Sequence, residues 1–517
     1  MKNPKDSLNQ DGGTPASVGL GRSIDRRGFL ASASLMTAEL VARPVFAASE
    51  DDASGDPRIV SLGDAHKGTL EIDLRIMNQY ETQPQEVQDF YTACRAAFTG
   101  PNPDAAVAAV CQKFNRWKLG GPMLGNVQAT SVSVWMNLPE PLRVDVVVTP
   151  KAGGAAKTFS SGDSERILSV RCDGLTPDTH YTFAATDSKE RELGSGSFAT
   201  VPAELSEKPF QITFGTCFHK VGMYRPELMK LIQERGSRAM LVLGDSAVDG
   251  RKCDYGLINT DYLLRNLSRS WQQMSANVPV FATWDDHDYW GDDSGGDSRN
   301  GKPIDTDGLR KSWKSQWNNQ DRTVANKGIY FTTQIGPVHF IALDTRSCRV
   351  NEQRGELNSF LGEEQMAWLK QQIRESTSPY IVLSGGTMWS DYISNGKDSW
   401  GTWDKQGREE IFRVIDAKKG SQVILLSGDR HGARGFAIPR PNGRKIYELE
   451  VATMGGVPGP GPFGDDQTAQ LFGLPSRSWA FGELSFRTVG GVPQATFRLI
   501  NEQGKELETF VLESSAA

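Results

Sequence analysis

Three apolar runs in this chain stop abruptly at metal-binding residue types, and that coincidence constrains the fold more than any other feature. Val278 to Thr283 reads as a buried strand that ends at Trp284-Asp285-Asp286-His287-Asp288. Ala239 to Gly244 runs into Asp245, and Val423 to Gly428 runs into Asp429-Arg430-His431. Taken alone, the first cluster also fits a solvated acidic turn with a spare histidine. Desolvating three neighbouring carboxylates, however, costs several kcal/mol unless positive charge sits among them, and the readiest positive partner is a metal ion. Three strands that deliver Asp and His from their carboxyl ends describe a metal site in an α/β sheet.

The rest of the chain fits around those runs. From Phe210 onward strands alternate with helices, as in a layered α/β domain. Strand Gln211 to Gly215 ends at Thr216-Cys217-Phe218-His219, and Val338 to Leu343 ends at Asp344-Thr345-Arg346. His339 lies inside that second strand and reads as a core or face histidine. Ser294 to Asp307 is rich in Gly, Asp and Ser and lacks any period, which predicts a loop over the site. Tyr447 to Ala452, Phe481 to Thr488 and Gln494 to Ile500 alternate and are expected to close the domain as antiparallel strands.

Upstream, residues 71 to 120 are helical by period, with Val87, Phe90, Tyr91 and Cys94, then Ala106, Val107, Val110 and Phe114, at three- and four-residue steps. At Gly121-Pro122 the period changes to two. Short strands around Val134, Val146, Leu168 and Phe183, separated by Gly, Pro and Asp turns, predict a small β-sandwich. Gly174 to Tyr181 resembles the turn and corner tyrosine of fibronectin type III modules, which makes His180 an outward strand residue. The boundaries expected are 48–120 for the helical segment, 121–203 for the sandwich and 204–517 for the catalytic domain. At 517 residues and 56.7 kDa the chain is too long for a single core.

The first 47 residues read differently. Asp25-Arg26-Arg27-Gly28-Phe29-Leu30 leads into a weakly apolar stretch ending at Val45-Phe46-Ala47, the pattern of a twin-arginine export signal cleaved after Ala47. The alternative, a basic loop before a core helix, fits poorly with Glu39 and the many Ala and Ser. Export by the twin-arginine machinery implies a periplasmic or secreted protein. No other run approaches the ~20 apolar residues of a membrane span. A net charge of -6 and the absence of a long basic run exclude an evident nucleic-acid-binding surface. Of the six cysteines, Cys94 can pair with Cys111 and Cys253 with Cys348, while Cys172 reads as a buried thiol and Cys217 lies beside the site.

The residue types suggest a division of labour. Two-metal hydrolytic sites hold their ions roughly 3.5–4 Å apart around a bridging carboxylate and clamp both attacking and leaving oxygens of a phosphoryl group. Asp245 is the natural bridge. Cys217 and His431 suit one ion, Asp286 and Asp429 the other, and His219 can join the first. His287, next to Asp286, faces the substrate as a stabiliser of the leaving group or a general acid. The expected nucleophile is hydroxide held on the metal, since no serine occupies a nucleophile elbow.

Residues 121 to 512 resemble the alkaline phosphatase D (PhoD-like) metallophosphoesterase family. The resemblance rests on Phe214-Gly-Thr-Cys217, Leu243-Gly-Asp245, Thr283-Trp-Asp-Asp-His287, Leu343-Asp-Thr-Arg346, Leu361-Gly-Glu-Glu-Gln365 with Trp368-Leu369, Asp398-Ser-Trp400, and Ser427-Gly-Asp429 with His431, in order. It implies a calcineurin-like α/β sandwich of two mixed sheets flanked by helices, behind a fibronectin type III-like β-sandwich. It also implies phosphomonoesterase or phosphodiesterase activity with iron and calcium as the usual ions, and some relatives resemble phospholipase D in activity. The family places a tyrosine, a ferric-iron ligand, three residues after the bridging aspartate; here that position is Val248, and Arg430 stands where a small apolar residue is usual. Valine offers no ligand atom, so ferric iron is in question, and Cys217, Asp245, His431 and His219 suit zinc or ferrous iron as well. Two other readings remain. One is a phospholipase D-like phosphodiesterase acting on lipid head groups or wall polymers, with Trp389, Trp400 and Trp403 as an apolar wall. The other is a non-catalytic envelope-binding protein with a structural metal, which an open, carboxylate-rich site disfavours.

Overall fold

The computed structural model describes residues 59–162, 164–248, 254–299, 302–319, 328–392, 398–464 and 468–513. The export signal read over residues 1–47 and Cys253 lie outside them. Two large mixed sheets face each other. In the nine-stranded sheet Phe210–Gly215, Ala239–Leu243 and Val280–Thr283 run parallel at the centre, with Ala480–Val489, Val492–Asn501 and Glu506–Leu512 antiparallel on one side. In the seven-stranded sheet Val338–Ala342, Tyr380–Ser384, Gln422–Ser427 and Lys445–Ala452 run parallel. The last of these also pairs antiparallel with Gly432–Pro439, so it is not the purely antiparallel closing strand that its alternation suggested.

The central strands are apolar along their whole length because both faces are covered. Leu241, Leu243 and Phe281 pack towards the seven-stranded sheet with Phe340, Val382, Ile424 and Leu449. Met240, Val242, Val280 and Ala282 point the other way, into a layer of helices that includes Tyr255–Leu267 and Arg269–Ser275. These two helices read as a single stretch in sequence; Ser268 divides them, its hydroxyl accepting from the Trp271 N–H at 3.3 Å as an N-cap. Continuous burial leaves the polar ends of the parallel strands as the one place where chemistry can surface.

The sandwich shares a sheet with the catalytic strands. Gly120–Gln128, Ser131–Leu142 and Glu165–Cys172 extend the nine-stranded sheet, Gly125 pairing in parallel with Val280. A four-stranded sheet containing Val144–Pro150 and His180–Asp187 covers them. Tyr181 Oη accepts a hydrogen bond from the Thr176 N–H at 2.9 Å, tying the turn to the strand, and His180 is exposed. Sequence reading passed over Gly120–Gln128, whose three glycines and Pro122 hide its strand character.

Four helices, Leu62–Ala65, Leu70–Asn78, Gln85–Phe98 and Pro103–Lys113, form the N-terminal segment. They dock through buried charge. Lys220 lies 3.3 Å from Asp73 and also pairs with Asp261, while Asp73 accepts from Tyr91 at 2.8 Å and pairs with Arg95. Gln79 Nε2 donates to the Val221 carbonyl at 2.6 Å. Cys94 and Cys111 are buried in this segment as free thiols, not as the disulfide the sequence allowed; Cys348 is also free. The stretch expected to be a loop, Ser294 to Asp307, contains a small hairpin, Ser298–Arg299 with Lys302–Pro303, and leads into helix Thr306–Ser315. Its start is buried, and the Gly296 N–H donates to the Arg346 carbonyl at 2.8 Å.

Candidate metal centre

The carboxyl ends of Phe210–Gly215, Ala239–Leu243, Val280–Thr283 and Gln422–Ser427 meet at one edge of the sandwich. Just past them the backbone takes a conformation that L-residues avoid: φ is 57° at Cys217, 46° at His219, 49° at Asp245, 73° at Asp429 and 37° at His431. Left-handed backbone at five non-glycine residues is strain that the surroundings must impose. Hydrogen bonds across the strand ends impose it. The Cys217 and His219 N–H groups donate to the Gly244 and Asp245 carbonyls at 3.4 and 2.8 Å, and Thr216 Oγ1 donates to Gly244 at 2.8 Å. Asp288 accepts from the Asp245 N–H at 2.5 Å and from the Ser246 hydroxyl at 3.0 Å. Gly244, at φ 100°, must be glycine, because a Cβ there would lie 2.5 Å from that of Asp285.

The side chains then converge. Donor atoms of Cys217, His219, Asp245 and His431 all lie within 4.8 Å of one another, as do those of Asp245, Asp286 and His287, and those of Asp285, Asp286 and Asp429. Cys217 Sγ is 3.6 Å from Asp245 Oδ2, and the Nε2 atoms of His219 and His431 are 3.3 Å apart. Asp245 thus stands between the sulfur and imidazole group and the carboxylate group. All six residues singled out as ligands, and His287, come together. His219 occupies the first group, where Val248 is buried and the tyrosines nearby are otherwise engaged: Tyr255 donates to Asp305 and Tyr289 to the Gly296 carbonyl.

Electrostatics says what the pocket requires. Burial, with Asp286 and Asp285 nearby, pushes the Asp245 carboxyl well above its usual range, and burial with Asp285 and Asp286 does the same to Asp429. Burial and Asp245 push the Cys217 thiol up. At Asp286 burial is outweighed by His287, Arg346 and the N–H groups of Asp293 and His287, and its carboxyl falls. Burial pushes His431 down to about 4, keeping the imidazole neutral, while its Nδ1 contacts the Pro458 carbonyl at 2.6 Å and leaves Nε2 as the ligating atom. Asp429 Oδ2 is buried and accepts no hydrogen bond among the described residues. Crowded carboxylates, a thiol, the neutral His431 imidazole and an orphaned oxygen are the donor set of a cation site, and they fit the metal ions expected.

Arg346 is the protein's own counter-charge. Its guanidinium lies 2.5 Å from Asp285 and 3.6 Å from Asp429 and pairs with Asp398, while Arg349 holds Asp398 at 2.6 Å. Gln365 brackets Asp344 through its amide, at 2.9 Å to both backbone groups, and Asp344 accepts from Trp284 Nε1 at 2.8 Å. The separate sequence motifs are therefore one hydrogen-bonded assembly. Trp389, Trp400 and Trp403 lie in the apolar core between sheet and helices, Trp389 against Trp400 at 4.9 Å, so they cannot form a substrate wall. His339, hydrogen-bonded to Thr332, stays out of the site. His66 was missed. It sits just past a four-residue helix with no motif around it, yet its ring packs 4.7 Å from that of His287.

Comparison with known proteins agrees with this geometry. Residues 259–454 match the PhoD-like phosphatase family, and residues 118–191 match a domain of unknown function, DUF7800. No curated protein sequence matches the chain. The solved structure of PhoD superposes with a TM-score of 0.58 at 15% identity, covering 77% of this chain and 93% of that one. A purple acid phosphatase, PPD1, from yellow lupin (Lupinus luteus) seeds gives 0.55 at 13% identity, covering 75% and 73%. The two structures share this chain's fold, an α/β sandwich of two mixed sheets flanked by helices. The family match over residues 259–454 and the shared fold support a metal-dependent phosphoric ester hydrolase.

Proposed function

We propose that the protein is an exported binuclear phosphoesterase that hydrolyses phosphomonoesters, phosphodiesters or both, with Asp245 bridging two metal ions. Cys217, His219 and His431 would hold one ion and Asp286 and Asp429 the other. The observation that carries this reading is the position of Asp245, whose carboxylate lies in both donor groups. Bound ions would supply a nucleophile from water near neutral pH and neutralise phosphoryl oxygens. Zinc or ferrous iron suits the sulfur and nitrogen donors, because Val248, which offers no ligand atom, stands three residues after Asp245.

The chain's own residues do the remaining work. Arg346 pairs with Asp285 and Asp398 and lies 3.6 Å from Asp429, so it neutralises part of the carboxylate group while Asp286 and Asp429 would hold the second ion. The backbone of His287 is fixed by its main-chain N–H, which donates to Asp245 at 3.2 Å and to Asp286 at 2.8 Å, and the ring Nε2 lies 3.3 Å from Asp292. From there the imidazole can give a proton to the departing alkoxide or phenoxide oxygen. The lipid and wall-polymer reading loses its apolar wall with the burial of the three tryptophans. Turnover of an aryl phosphomonoester and an aryl phosphodiester by the metal-loaded protein tests the reading; hydrolysis of neither would overturn it. Replacing Arg26 and Arg27 with Lys should retain active enzyme in the cytoplasm, and unchanged appearance in the envelope fraction would count against export by the twin-arginine route.

A further inference from the structure

We propose that His66, carried by the N-terminal helical segment, is a positioning residue for catalysis: it holds the His287 imidazole in the orientation from which that group acts on the substrate. The inference rests on the role given to His287 above. His66 lies outside the matched family region and outside every motif in the sequence.

The geometry is specific. The rings of His66 and His287 are 4.7 Å apart between centroids with 22° between their planes, a near-parallel pair. His219 meets His287 from the other direction, at 5.0 Å and 85°. The His287 ring is thus bracketed by one imidazole almost parallel to it and another edge-on. Donor atoms of the three histidines lie within 4.8 Å of one another, so His66 reaches the site itself and not a remote support. A flat ring packed near-parallel against another favours the rotamers that keep the contact.

The scaffold behind His66 is built to hold it there. The His66 N–H donates to Leu62 at 3.0 Å, Ser61 caps the short helix by accepting from Asp64, and Ala65 is buried. The Val60 N–H donates to Gln79 Oε1 at 3.2 Å, and Gln79 in turn donates to Val221. The next helix places Asp73 against Lys220, the residue following His219. The segment carrying His66 is therefore fastened to the turn that carries His219, by contacts that involve no ligand donor. A proton donor displaced by about 1 Å can lose up to ~100-fold in rate, so a device that fixes the His287 ring has a catalytic consequence.

The test uses the full mature chain, metal-loaded, with an aryl phosphomonoester. His66→Ala should lower kcat by about tenfold while KM stays within about twofold and the metal content is unchanged. His66→Phe, which keeps a flat ring against His287, should recover most of that loss and also guards against a folding defect in the alanine variant. In a His287→Ala background, His66→Ala should cost nothing further, because the residue it positions is gone. Undiminished kcat in His66→Ala, a phenylalanine variant as poor as the alanine one, multiplicative losses in the double variant, or a lost metal ion would each overturn the proposal. Asp245→Asn reports on the metal centre alone. If Asp245→Asn abolishes turnover while His287→Ala leaves it intact, the role of His287 is refuted, and that of His66 with it, but the metal reading stands.

Discussion

Two buried charge clusters lie a few residues apart in this protein, and they are balanced in opposite ways. Around Lys220, two carboxylates, Asp73 and Asp261, meet two cations, Lys220 and Arg95, and the Tyr91 hydroxyl completes the hydrogen bonding. That cluster is neutral by itself. At the strand ends, Asp245, Asp285, Asp286, Asp288, Asp398 and Asp429 gather around Arg346, Arg349 and Arg430, with His219 Nε2 3.9 Å from Asp245. Among the described residues these carboxylates outnumber the guanidinium groups beside them. The first cluster fastens helices together; the second cannot be completed by protein atoms and calls for ions from solution. His219 and Lys220 are adjacent in sequence and belong one to each cluster, so the strained turn at the metal centre is anchored by its neutral neighbour.

The comparison breaks first at Asp245. Asp245→Asn should lower turnover by at least about a hundredfold, since the amide cannot carry charge for two ions whose stabilisation is worth several kcal/mol. Even a tenth of the wild-type rate with both ions bound would refute the bridging role. Next in size is Lys220→Met, which removes the cation that Asp73 and Asp261 share, leaves Asp73 with Arg95 alone, and should cost about 3–5 kcal/mol of stability, with or without added metal. A loss that appears only in the metal-loaded protein would mean that the two clusters are not independent.

A smaller effect follows from the titration of Lys220. Burial lowers its pKa, but Asp261 and Asp73 raise it more, so the folded value lies above the ordinary 10.5. The group therefore adds stability that is fully present below pH 10.5 and is lost as pH rises through the higher folded value. Hydrogen exchange of Leu70–Asn78 should stay slow up to about pH 10.5, after correction for the intrinsic rate, and accelerate beyond it; early loss at pH 8 would contradict the charge assignment. Smallest in stability is Val248→Tyr, which crowds a buried site by about 1–3 kcal/mol yet should raise the ferric iron content of the first group. An unchanged metal profile would show that position 248 does not address the ion.

Much of the site was legible because strand ends and ligand types coincide in the sequence. Cys217, His219, Asp245, Asp286, His287, Asp429 and His431 follow apolar runs, and a buried parallel strand leaves few other places for such residues. Other parts were illegible for physical reasons. His66 reaches the centre through tertiary docking of a helix that carries no ligand pattern. Asp288 and Gln365 act on backbone groups, which a sequence does not display. The tryptophans near residue 400 could have been wall or core, and only packing distinguishes the two. Strand Gly120–Gln128 lacks alternation because Gly125 must let Asn318 approach; a Cβ there would sit 2.3 Å from the Asn318 carbonyl oxygen.

The most direct test is the metal content of the protein purified from its native host, located by anomalous X-ray scattering. Two ions are expected, one among Cys217, His219, Asp245 and His431 and one among Asp245, Asp286 and Asp429, with Asp245 touching both. A fully active protein that binds a single ion, or none within reach of Asp245, would contradict the account.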